Sequence, residues 1–293
     1  MEIERLPELN KPNFIAAFQG WNDAGQSATT AVRYLIDSWK AQSFAKVDPE
    51  EFFSFTDTRP TIRIVDGAER KLTWPSIEFF AFEGNTTSPP AILMVGAEPN
   101  LRWKSFCSEV LRLARSLEAQ RIFTLGSLVT DSVHTRPAPL TGFSTDPDIQ
   151  AKLSAHNITR SSYEGPTGIV GVLHDACRNA RMPTASVWAS TPYYLGGTPN
   201  PKTALSLLDM IDEVLALHLN LSELRIVADE FVRQVSAAVG NNDEVQQRIR
   251  SLEAAYDAAG GTAPPPEGAP EFPPTGAIIA DLESFLREQR DDG

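Results

Sequence analysis

The chain has 293 residues, 42 % apolar and 22 % charged, enough for one large domain or two small ones with a substantial core. Its net charge of −12 is unevenly spread: from Leu221 onward 14 acids face 6 arginines, and no lysine follows Lys202. No basic patch and no long apolar run is visible, so neither nucleic acid nor a membrane is expected as a partner, and the acidic start Met1–Arg5, lacking an apolar signal core, points to the cytoplasm.

Residues 13–18 (NFIAAF) read as a buried strand and 26–40 as a helix, with Val32, Leu35, Ile36 and Trp39 on one face. The segment 61–74 reads as a hairpin turning at Asp66-Gly67. Strands are expected at 77–82, 91–95, 121–128 and 184–189, and helices at 103–117, 168–179 and 203–219. Strands alternating with helices give an α/β fold with a mostly parallel sheet, to which the hairpin adds an antiparallel piece.

The last quarter is patterned differently. Leu224, Ala228, Phe231, Val235 and Ala238 step by four and three, and so do Val245, Ile249, Leu252, Tyr256 and Ala259. Two helices joined at Gly240-Asn241-Asn242 follow, with Gly240 as a left-handed stop and Asn241 with Glu244 as the next cap. Residues 262–275 form a Pro-rich linker, and 277–289 a short final helix carrying Ile278, Leu282 and Phe285. The domain reading is an α/β body over 1–220, a helical hairpin over 221–260, a linker over 261–276, and a terminal helix and tail over 277–293.

No P-loop, H-E-x-x-H, C-x-x-C or G-x-S-x-G motif occurs. Cys107 and Cys177 read as reduced core thiols, and no spacing suggests a metal site. Candidate site residues instead follow the strands. Trp21, Asn22 and Asp23 follow the first, with Asp23 also a natural helix cap. Glu98, Asn100 and Arg102 follow the strand at 91–95, and Asn100 is again a possible cap. Asp131, His134 and Arg136 follow the strand at 121–128, and the aromatic pair Tyr193-Tyr194 follows the strand at 184–189. Gly165 and Gly168 belong to a glycine-rich turn entering a helix, which either binds an anion or permits close packing. In a parallel sheet all these loops lie on one edge, the usual place for a ligand cleft.

GWNDAG (20–25), EPNLRW (98–103), VTDSVHTRP (129–137), SYEGPTG (162–168) and SVWASTPYYLGGTPNPK (186–202) occur in this order. In these blocks the chain resembles the proteasome-assembly-chaperone-two family in its actinobacterial form. The resemblance implies a three-layer α/β/α fold akin to nucleoside phosphorylases and peptidyl hydrolases, with no cofactor. It further implies a non-enzymatic protein-binding or assembly role, self-association with a trimer as the candidate assembly, and a protein client or proteasome-related partner. Archaeal relatives end in a hydrophobic-Tyr-x motif that docks on the proteasome; the segment Gln289–Gly293 lacks it. The alternative is a small-molecule-binding or phosphorylase/hydrolase-like enzyme with its site at the strand ends.

Overall fold

Seven residues, NFIAAFQ, set the centre of the molecule: every side chain from Asn13 to Phe18 is buried, which requires cover on both faces of the sheet they join. The computed structural model describes residues 1–65, 69–240 and 242–259. Its strands are β1 (Glu2–Ile3), β2 (Asn13–Gln19), β3 (Gln42–Lys46), β4 (Thr61–Val65), β5 (Glu69–Thr73), β6 (Ile77–Phe82), β7 (Ala91–Ala97), β8 (Arg121–Thr130), β9 (Leu140–Ser144) and β10 (Thr184–Pro192). Its helices are α1 (Ser27–Trp39), α2 (Pro49–Phe52), α3 (Trp103–Ser116), α4 (Pro147–Ala155), α5 (Ile169–Asn179), α6 (Pro201–Leu215), α7 (Ser222–Val239) and α8 (Asp243–Ala258).

Eight strands form one sheet in the order β1-β3-β6-β7-β2-β8-β10-β9. The central four, β7, β2, β8 and β10, are mutually parallel. β3 runs with them, while β1, β6 and β9 run against, so five of the eight share a direction. Alternation along β2 sends Phe14, Ala16 and Phe18 into a core beneath α3 and α5, and Ile15 and Ala17 into a second core beneath α1, α4 and α6. This is the expected three-layer α/β/α fold. Each fully buried Phe, Ile or Leu contributes about 1.5–3 kcal/mol.

Several features depart from the sequence reading. Gly240 adopts right-handed helical angles (φ −61°, ψ −19°), not the left-handed stop expected of it. The cap of α8 is Asn242, whose Oδ1 accepts from Val245 N at 3.1 Å. Asn241, the Asp66-Gly67 turn, the linker at 262–275 and the terminal helix at 277–289 all lie outside the described residues. The β4–β5 hairpin forms as expected, but as a separate two-stranded sheet whose every described residue is exposed.

The stripes of α7 and α8 pack around the α/β body's own loops. Phe231, Val235, Val239, Val245, Ile249 and Leu252 share a third core with Val133, Tyr194 and Leu195. The helical pair therefore sits over the ends of β8 and β10.

Candidate functional site

The four parallel strands deliver their following loops to one edge, as parallel pairing requires. On that edge the candidate residues fall into two separate knots.

The first joins Asn22, Glu98 and Gly168. Asn22 Nδ2 donates to Glu98 Oε1 at 2.9 Å, and Ile169 N donates to the same oxygen at 2.7 Å. Glu98 thus places its own carboxylate on the N-terminus of α5. The anion-binding reading of this glycine turn is answered from within the chain: the helix dipole already faces a negative charge. Asn22 is 1 % exposed, and its Oδ1 has no hydrogen-bond partner among the described residues. A Cβ on Gly168 would lie 2.7 Å from both Asn22 Oδ1 and Glu98 Oε1, so glycine is required here by close approach. Gly168→Ala is expected to cost about 1–3 kcal/mol by forcing this knot apart. Thermal or denaturant unfolding of the variant measures it, and an unchanged midpoint refutes it.

Asp23 is the structural cap. Its Oδ1 accepts from Ala28 N at 2.8 Å and Thr29 N at 3.2 Å, and its Oδ2 from Thr29 Oγ1 at 2.5 Å. Burial pushes its carboxyl up, against the downward pull of these hydrogen bonds. Its loop is sewn to β8 and to the loop after β10: Ser127 N donates to Asn22 O, and Gly25 N to Gly196 O. Asn100 is structural too, its Oδ1 accepting from Ser54 N and Thr58 Oγ1. Arg102 is exposed and reaches Glu51 at 3.6 Å. Gly165 lies in an exposed stretch beside the Tyr163 ring, and the Tyr163 hydroxyl donates to Pro166 O at 3.0 Å. Trp21 is 62 % exposed.

The second knot holds Asp131, His134, Arg136, Tyr193 and Tyr194, and it is closed by α7 and α8. His134 is buried, with Nδ1 2.7 Å from the Tyr194 hydroxyl and Nε2 3.1 Å from Ser236 Oγ on α7. Burial, reinforced by the nearby Lys202 cation, pushes the imidazole down to about 4. The ring is therefore neutral near pH 7 and tied at both nitrogens. Arg136 forms a two-pronged pair with Asp257 (2.9 and 2.7 Å) and lies 3.5 Å from Glu253, both on α8. Arg248 of α8 lies 3.6 Å from Asp131. Tyr193 and Tyr194 meet edge to face at 5.2 Å.

Sequence reasoning missed Lys202, whose Nζ donates to the carbonyls of His134 and Arg136 (2.6 Å to the latter), and whose ammonium burial pushes down to about 8. It missed Ser236, Glu253 and Asp257 as well. The unassigned apolar stripes of the tail were the available signal, since they had to cover something. No group of three or more His, Cys, Asp or Glu side chains suited to a metal occurs among the described residues. A groove of about 630 Å³ lined by Glu4, Trp39, Phe44 and Phe82 lies at the opposite edge and holds none of the candidates. Among the described residues, no helix is long and apolar enough to cross a membrane.

The α/β/α fold is one that this chain shares with solved structures. The PAC2 family model matches residues 17–239, and the chain belongs to that family. It is similar to the Mycobacterium tuberculosis proteasome-assembly chaperone homologue Rv2125 at 35 % identity and a TM-score of 0.73, covering 80 % of this chain and 99 % of that one. A PAC2 family protein from Streptomyces avermitilis matches at 38 % identity and 0.71, covering 81 % and 99 %. The Pyrococcus furiosus archaeal proteasome activator PbaB shares the fold at 18 % identity and 0.61, covering 80 % and 97 %. No curated protein matches the chain.

Proposed function

We propose that this chain is a non-enzymatic protein-binding factor with an assembly-chaperone-like role, acting in the cytoplasm on a proteasome-related protein and associating with itself, with a trimer as the candidate stoichiometry. One observation carries the reading: around the Asn22–Glu98–Gly168 knot, three loops each present a large exposed apolar side chain, Trp21, Leu101 and Tyr163. Exposed apolar side chains carried by loops that meet at one polar knot are the kind of surface a protein partner covers. The similarity to a protein described as a proteasome-assembly chaperone homologue supports it. Burial pushes Cys107 and Cys177 up to about 12, which fits stable thiols in a reducing compartment.

The test is titration of purified actinobacterial proteasome subunits with this protein, followed by fluorescence anisotropy. Binding is expected, and Trp21→Ser with Leu101→Ser should weaken it at least about tenfold, since aromatic anchors dominate such contacts. Failure of the wild type to bind, or equal binding by the variant, overturns the reading.

The unpartnered Asn22 Oδ1 favours a second reading, a small-molecule site at the same knot. A thermal-shift screen with nucleosides, phosphate and peptides decides it. A ligand at 100 times its Kd stabilises by about 2.7 kcal/mol, and no shift with any of them sinks it.

A further inference from the structure

The β4–β5 arm is an unusual structure to leave in water. Its register pairs Ile62 with Leu72 and Ile64 with Arg70, while Arg63 pairs with Lys71. Side chains alternate across a strand, so Ile62, Ile64 and Leu72 share one face, continued by Trp74, and Arg63 and Lys71 share the other. The apolar face is open: Ile62 is 60 % and Ile64 66 % exposed. An isolated two-stranded hairpin is at best marginally stable, and this one is anchored at its base by Trp74 against Phe55, centroids 4.8 Å apart. Residues 59–74 hold four cations, Arg59, Arg63, Arg70 and Lys71, against two acids in a chain of net charge −12. None of the four pairs with an acid among the described residues.

The matching surface lies elsewhere on the same chain. At the corner where α6 ends and α7 begins, a groove of about 440 Å³ is lined by Asp209, Asp212, Glu213, Leu219, Ser222 and Arg225. Beside it α7 exposes Ile226 (68 %) and Val227, with Glu223 on the same stripe. One patch is apolar and basic, and the other is apolar and acidic.

We infer that the β4–β5 arm docks on the α6–α7 corner of a second copy of this chain, in a head-to-tail contact. Two different patches meeting in this way propagate from copy to copy, and they close into a ring when the rotation fits. A two-fold contact of arm on arm would instead bring like charges together. The inference rests on the self-association in the reading above and specifies the surfaces that produce it.

Sedimentation velocity across a concentration series tests it with four full-length proteins: wild type, Arg70→Glu/Lys71→Glu, Glu213→Lys/Glu223→Lys, and the combination of all four changes. All sites are exposed, so folding is expected to be retained, and far-UV circular dichroism checks it. Each reversal alone should weaken self-association by at least about tenfold, and the combination should restore it. A monomeric wild type overturns both self-association and this inference. An oligomeric wild type that neither reversal weakens overturns this inference alone. Single losses without restoration by the combination show that the two surfaces do not face each other, and overturn it as well.

Discussion

Replacing Tyr194 with alanine should lower stability by about 3–5 kcal/mol in a denaturant titration, because the site combines a large cavity with orphaned polar groups. Tyr194 is 1 % exposed and lies at the centre of the core that holds α7 and α8 over the strand ends. Its ring meets His134 and Tyr193 edge to face, and its hydroxyl accepts from His134 N at 3.0 Å while bonding Nδ1. Tyr194→Phe keeps the ring and loses only the hydroxyl, so it should cost about 1–3 kcal/mol, the usual penalty for a buried group left unpaired. Amide exchange should quicken first in residues 222–258. A loss under 1 kcal/mol for the alanine variant would mean that the helical pair is held by its ion pairs instead.

Acid should loosen the same junction. His134 is held at about 4 in the folded chain against an ordinary 6.5. Below pH 6.5 the unfolded chain takes up a proton that the folded chain refuses. The stability associated with the neutral ring is therefore complete above pH 6.5 and falls by about 1.4 kcal/mol per pH unit down to about pH 4, some 3 kcal/mol in all. The charged groups facing it are Lys202, which opposes protonation, and Glu253, which favours it. His174, bonded to Thr124 Oγ1 and also pushed down to about 4 by burial, adds a slope of its own. The comparison that isolates the junction is wild type against His134→Gln, with unfolding free energies at pH 7, 6, 5 and 4.5. The variant should show the shallower fall; identical slopes would refute the assignment.

The central strands were legible because burial on both faces writes them as unbroken apolar runs, as in NFIAAFQ and AILMVGA. The strands toward the sheet's two margins were not. QSFAK and LTGFS bury only part of their length and carry no clear alternation, so β3 and β9 were missed. Helix α4, with only Ile149 and Leu153 buried, offered too few apolar positions for a period. Parallel pairing alone places the loops after the central strands on the carboxyl edge. Their division into two knots depends on Tyr194 reaching His134 across 60 positions of sequence, and on Glu98 turning back to α5. Spacing carries no trace of either contact. An Asp three residues before a His is a pattern open to acid–base chemistry, yet Arg248 answers Asp131, and Tyr194 and Ser236 answer His134.

The position of β2 has a consequence for synthesis. The second strand made is the middle of the sheet, and its neighbours β7 and β8 arrive only with Ala97 and Thr130. At about 5–20 residues per second a ribosome needs roughly 6–22 s to travel from the end of β2 to the end of β8. Until Ala97 is made NFIAAFQ is an apolar strand with two bare edges, and until β8 is complete one edge stays bare and open to mispairing with a neighbouring nascent chain.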